Sequence, residues 1–189
     1  AAGALLGAAG ERLVPLGFSR GGFVALELLR RAPERTAGVI LMSGNAHPDA
    51  PANASVRREE VAFARGSGMA SHIERNWPRL VAADSQSDLG LRDLLVSMAE
   101  AVGIDGFARQ AEMNIARPDF RASVGNVPVP LLVLVGSEDN LCPHERYAAA
   151  AQGACARLRT LAGAGHFLPL EAPGEVGRLT ASFIKGLKR

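Results

Sequence analysis

The chain has 189 residues, 48% of them hydrophobic and 21% charged, with a net charge of +2 at neutral pH, which suits one soluble domain with its own core. The basic residues are scattered arginines, with lysine only at Lys185 and Lys188, so no basic block marks a nucleic-acid partner. No apolar run approaches the roughly 20 residues that span a bilayer, and "AAGALLGAAGERLV" lacks the charged start and cleavage site of a secretory signal. Cys142 and Cys155 show neither metal-ligand spacing nor a disulfide framework. They read as small buried or half-buried thiols, in keeping with a reducing cytoplasm.

The Ala/Gly-rich opening reads as a helix, with Leu5 and Leu6 on its apolar face and Gly10 near its end. "RLVPLGF" (Arg12–Phe18) is an apolar run of strand length. Phe23–Ala32 reads as a helix, because Val24, Ala25, Leu28 and Leu29 recur at helical spacing and Pro33 stops the run. "AGVILMSG" is a second buried strand, which completes strand, helix and strand within about 30 residues, the size of a βαβ unit. From Pro48 to about Asp119 no strand-like run occurs. Helical patterns separated by glycine and proline predict an insertion there, in which Ser87 or Asp88 caps a helix carrying Leu91, Leu94, Leu95, Met98 and Val102. "PVPLLVLVGSED" restores a strand over Leu131–Val135, and Pro143 opens a further helix. "ARLRTLAGAGH" supplies a short strand and a glycine-rich loop. The last helix runs from about Gly174 to Leu187, with Val176, Leu179, Phe183 and Ile184 facing inward. This alternation predicts an α/β fold with a parallel sheet, built from a core of residues 1–47 and 120–189 and a helical insertion of residues 48–119.

In open α/β sheets chemistry gathers beyond the carboxyl ends of the strands, and three loops in that position carry suggestive residues. Ser19, in "GFSRGG", lies where an apolar strand gives way to an amphipathic helix. A sharp turn there would expose its hydroxyl. Gly17 and Gly21 would keep side chains out of a cramped bend, and Gly22 would let the helix sit close to the sheet. The backbone N–H of Arg20 would face a developing oxyanion, one such donor being worth roughly 3 kcal/mol in the transition state. The Arg20 side chain is expected in solvent or paired with a nearby acid, the alternative being an anionic substrate. Asp139, ending "LLVLVGSED", could orient a histidine, with Glu138 as a competitor and helix capping as the plainer role. His166, in "AGAGHFLPLEAP", follows the last strand; His47 and His144 are the alternatives, and His72 reads as structural. No pair among the four histidines has metal-ligand spacing, so neither a metal nor another cofactor is expected. The order Ser, Asp, His on successive strand ends agrees with the hydrolase pattern and not with the chymotrypsin or subtilisin orders.

With these stretches in place the chain resembles the α/β-hydrolase family, in its small bacterial esterase and lactonase branch. "LGFSRGGFVALELLRRAPERTAGVILMSG" is similar to the family's nucleophile elbow with its helix and next strand. "PVPLLVLVGSEDNLCP" is similar to the acid strand and loop, and "LAGAGHFLPLEAPGEV" to the histidine loop. The resemblance implies Ser19 as nucleophile, Asp139 as acid, His166 as base, and residues 48–119 as the family's cap domain. The family also places about four strands and a helix before the elbow, with a second oxyanion donor in one of those early loops, and this sequence has neither. The resemblance therefore implies a partial α/β-hydrolase fold without the N-terminal half of the sheet: a fragment, an incomplete gene model or one half of a split protein. A complementary N-terminal segment or a second copy would be its partner. The elbow strand would be an edge, which Pro15 tolerates by what reads as coincidence. Loss of one oxyanion donor would slow turnover roughly a hundredfold or more.

The expected activity is hydrolysis of a small-molecule ester or lactone through an acyl-enzyme, on a small or medium apolar acyl group. Phe63, Met69, Trp77, Met98, Phe107 and Met113 are candidate pocket residues, with plain helix packing as the simpler expectation for each. The rivals are carbon–carbon bond hydrolysis or cofactor-free perhydrolysis on the same three residues, a non-catalytic ligand-binding protein, and an inactive remnant.

Overall fold

Four apolar runs pair into one parallel sheet. The computed structural model describes residues 2–8, 10–125, 129–142, 144–151 and 155–187. Strands β1 (Leu16–Phe18), β2 (Val39–Met42), β3 (Leu131–Gly136) and β4 (Ala156–Leu161) lie in that order across the sheet. Gly17 stands opposite Leu41, Leu41 opposite Val133, and Val133 opposite Leu158. β2 and β3 are buried on both faces, as their unbroken Val/Ile/Leu runs require.

Alternate residues of the two central strands enter two different cores. Val39, Leu41, Leu131, Val133 and Val135 pack under helix α2 (Arg20–Arg31), α5 (Arg121–Gly125) and α6 (His144–Ala150), against Leu26, Leu29, Val124 and Tyr147. Ile40, Met42, Leu132 and Leu134 pack on the other face against Leu168 of α7 (Leu168–Glu171) and Val176 of α8 (Pro173–Lys185). Each side chain so buried stabilises the fold by about 1.5–3 kcal/mol relative to exposure. Helix α1 (Ala2–Ala8) lies against α2.

Between β2 and β3 run two long helices, α3 (Asn53–Leu80) and α4 (Leu89–Ile115), packed on each other, with no strand among the described residues of that stretch. Each bends at a glycine of positive φ, α3 at Gly68 and α4 at Gly103. Asp88 caps α4 by accepting the Leu91 N–H at 2.9 Å. Trp77, Val81 and Leu95 form a small apolar knot between the helices. No helix among the described residues is long and apolar enough to cross a membrane.

Several local expectations change. The first strand shrinks to Leu16–Phe18; Leu13 makes only an isolated bridge to Thr36, and proline cannot donate to a ladder, so Pro15 joins through its carbonyl, which accepts the Ile40 N–H at 2.9 Å. Helix α2 begins at Arg20, three residues earlier than the apolar spacing suggested. Ile184, expected to face inward, is exposed, and so is Leu5 of the expected apolar face of α1, because the partner surface covers a narrower stripe than the apolar pattern offers; Leu94, Met98 and Val102 on α4 are exposed as well. Cys155 is exposed, while Cys142 is half-buried. The short helix α7, which Pro169 starts within its first turn, was not expected. Pro143 and Lys188 lie outside the described residues.

Leu134 is fully buried, so Leu134→Ala should cost about 2–5 kcal/mol, read as a lower urea midpoint at unchanged slope. Leu94→Ala, on the exposed face of α4, should change stability by under about 0.5 kcal/mol. Equal midpoints for the two variants would contradict this packing.

Candidate active site

The turn from β1 into α2 holds Ser19 at φ 50°, ψ −114°, a conformation that costs a non-glycine residue about 1–3 kcal/mol. Two hydrogen bonds hold it there. The Ser19 N–H donates to the Met42 carbonyl at 2.7 Å, and the Gly22 N–H donates to the Ser19 carbonyl at 3.0 Å. A Cβ at position 17 would fall onto the Gly21 carbonyl and 2.5 Å from the Gly22 nitrogen, so the bend excludes any side chain there. The matching expectation for Gly21 fails: a Cβ there meets open space, because Gly21 supplies backbone to the contact and not a crowded side-chain position. A Cβ on Gly22 would stand 3.5 Å from Gly44 and Leu41, ordinary contact distance.

Two later loops converge on the Ser19 hydroxyl. His166, beyond β4, places Nε2 2.9 Å from Ser19 Oγ, and its Nδ1 lies 2.9 Å from Asp139 Oδ2, beyond β3. His166 is 6% exposed and Asp139 4%. Phe18 and Phe167 flank the imidazole, with ring centres 5.5 and 5.9 Å away. Glu138, the competing acid, faces elsewhere: its Oε2 accepts the Ala83 N–H at 2.8 Å. Among the described residues neither His47 nor His144 makes a hydrogen bond to the Ser19 hydroxyl. The Arg117 guanidinium donates to the His47 carbonyl at 2.9 Å, and the His144 ring lies edge-on to Tyr147. His72 pairs with Glu60 at 3.1 Å.

Sequence reasoning missed Tyr147. Its hydroxyl donates to Asp139 Oδ2 at 2.7 Å, while the Leu141 N–H donates to Oδ1 at 3.0 Å. The available signal was a single tyrosine in an alanine-rich helix of the core, since a buried phenol needs a partner for its O–H. Burial pushes the Asp139 carboxyl up, but the hydrogen bond and attraction of His166, with the bonds from Tyr147 and Leu141, outweigh it and leave the pKa lowered. Burial above all, and then the Asp139 charge, push the Tyr147 phenol up, so it stays a donor.

The Arg20 side chain takes neither of its two plainer expected fates. It is half-buried, and among the described residues it makes no hydrogen bond or ion pair. Burial first, and then repulsion from Arg57 of α3, lower its pKa. The nearby acids are already engaged: Asp49 holds Arg57 and Arg117, and Glu60 holds His72 and Arg75. Of the candidate pocket residues, Met98 and Met113 are exposed, Met69 and Trp77 are buried, Phe63 carries Arg75 over its ring, and Phe107 packs on His72. Among the described residues no three histidine, cysteine or carboxylate side chains gather as metal ligands.

A model of the alpha/beta hydrolase family matches residues 1–179. The chain belongs to that family. Among solved structures, this α/β hydrolase superimposes on a thermophilic esterase of Thermogutta terrifontis, solved with malate bound, at a TM-score of 0.87 and 28% identity, covering 98% of this chain and 69% of that one. It superimposes on the enol-lactonase of Burkholderia xenovorans at a TM-score of 0.81 and 24% identity, covering 93% and 66%. Among curated proteins it is 25% identical to the biotin biosynthesis bifunctional protein BioHC of Teredinibacter turnerae, over 92% of this chain and 34% of that protein. The α/β-hydrolase chain thus spans about a third of that relative's length and about two thirds of the solved structures'.

The lowered pKa of Asp139 makes its contribution to stability depend on pH in a definite direction. Its hydrogen bonds contribute fully above the ordinary carboxylate value of about 3.9, and the contribution is lost as pH falls through the lower folded value. Asp139→Asn should therefore melt well below wild type at neutral pH, with the gap closing below about pH 4. A gap that stays constant across this range in thermal melts would contradict the assignment.

Proposed function

We propose that this chain carries the active site of a serine hydrolase acting on carboxylic esters or lactones, with residues 48–119 as a cap over it. The observation that carries the reading is the continuous line of contacts from Ser19 Oγ through the His166 imidazole to Asp139 Oδ2, each step 2.9 Å. His166 Nε2 takes the Ser19 proton as Oγ attacks the carbonyl carbon. Asp139, held by Tyr147 and Leu141, keeps the imidazole oriented and stabilises its positive charge. The N–H of Arg20, at the start of α2, faces the oxyanion as the tetrahedral intermediate forms. Collapse of that intermediate expels the alcohol, which takes the proton from His166, and leaves an ester on Ser19. Water, deprotonated by His166, then releases the acid. Likeness to the Thermogutta esterase supports the reaction class.

The Arg20 guanidinium refines the substrate away from a purely apolar acyl group. A half-buried cation beside the nucleophile, with no acid of its own among the described residues, favours an ester bearing a carboxylate.

Ser19→Ala should lower p-nitrophenyl acetate hydrolysis at least about a thousandfold and abolish labelling by a fluorophosphonate. Retained turnover in a folded variant rules the mechanism out. For Arg20→Met, the ratio of kcat/KM for the mono-p-nitrophenyl ester of glutaric acid to that for p-nitrophenyl butyrate should fall about tenfold, or ~1.4 kcal/mol. An unchanged ratio removes the carboxylate preference and leaves the mechanism standing.

A further inference from the structure

The backbone that carries His166 is held by the segment at the end of α3. At the end of α3, residues 80–83 touch both loops that carry the site. The Leu80 carbonyl accepts the His166 N–H at 3.1 Å and the Phe167 N–H at 3.3 Å, and the Ala83 N–H donates to Glu138, the neighbour of Asp139. Glu171, at the end of α7, closes this contact with a single oxygen. Its Oε2 accepts the Ala82 N–H at 2.7 Å and the Gly165 N–H at 3.0 Å. The two segments run so close that a Cβ on Gly165 would stand 2.5 Å from the Ala82 nitrogen. Ala82 and Gly165 are both buried, so neither amide can turn to water if that oxygen is withdrawn. Hydrogen bonds to an ionised acceptor are about twice as strong as neutral ones. The other oxygen, Oε1, is buried without a hydrogen-bond partner among the described residues, so the bridging rests on Oε2.

We propose that Glu171 is a positioning residue, whose carboxylate clamps residues 80–83 of the inserted helices to the loop of His166 and so fixes the imidazole within reach of Ser19. The proposal rests on the serine-hydrolase reading for its kinetic consequence, though the clamp itself does not. A long-range carboxylate bridge of this kind acts on orientation: losing it lets the His166 loop drift, and displacements of about 1 Å at a reacting group can cost up to about a hundredfold in rate. The substrate is not touched, so the loss falls on kcat.

In the intact protein, Glu171→Ala should lower kcat for p-nitrophenyl acetate about 10- to 100-fold with KM within about twofold, and slow fluorophosphonate labelling of Ser19 in parallel. Glu171→Gln, which keeps an acceptor oxygen in place, should restore kcat to within about threefold of wild type, whereas Glu171→Asp, which withdraws it by one methylene, should not. The Gln and Asp variants decide the matter should the alanine variant fail to fold. Glu171→Asp at wild-type kcat, or a loss confined to KM, overturns the proposal. Amide hydrogen exchange separates this outcome from failure of the hydrolase reading. Exchange at Ala82 and Gly165 should quicken at least about tenfold in Glu171→Asp whether or not the protein turns over esters, and unchanged exchange also overturns the clamp.

Discussion

A buried carboxylate is costly unless donors meet it, and the arrangement around Asp139 answers that constraint. Three donors reach it from three places: an imidazole beyond β4, a phenol on α6 and a backbone N–H two residues along its own loop. Each partner is thereby fixed as well. Tyr147 ties the acid to the core under the sheet, and His166 is turned so that its far nitrogen meets Ser19. Remove the charge at the centre and each of the three loses the reason for its orientation.

The sheet makes that convergence possible. Parallel strands all run the same way, so the loops after β1, β3 and β4 open on the same side, β3 and β4 reaching beyond the ends of β1 and β2. The sheet brings the three loops to one side, and the contacts among the three residues then set the short reach between them. The strain at Ser19 is accepted on the same ground: two backbone bonds to its neighbours over-determine the bend, and the hydroxyl is left clear of them. The inserted helices then supply a second layer of support through residues 80–83, so the histidine loop is gripped between the sheet and the insertion.

Much of the fold was legible in the residues. The unbroken runs of β2 and β3, the stop at Pro33 and the strand-free stretch between Pro48 and Asp119 all correspond to what forms. The weaker readings failed for physical causes. Ile184 repeats with Val176, Leu179 and Phe183 at helical spacing, but spacing does not say how wide a stripe the neighbouring surface covers. Arg12–Val14 looked like strand from composition, whereas pairing depends on donors that a proline beside them interrupts. Gly21 looked as constrained as Gly17, but only the backbone path shows which of the two points into the crossing.

What the sequence alone determined is local: a serine between glycines at a strand-to-helix switch, and the periodicities that make strands and helices, because these depend on residues a few positions apart. The resemblance named Asp139 and His166, but only the tertiary structure brings His166 to Ser19 with Asp139 on its far side, and sets Tyr147 and Glu171 behind them. Those pairings join segments far apart along the chain. Their geometry is set by the order of strands in a sheet and by where two long helices return to it, which no short stretch of residues encodes.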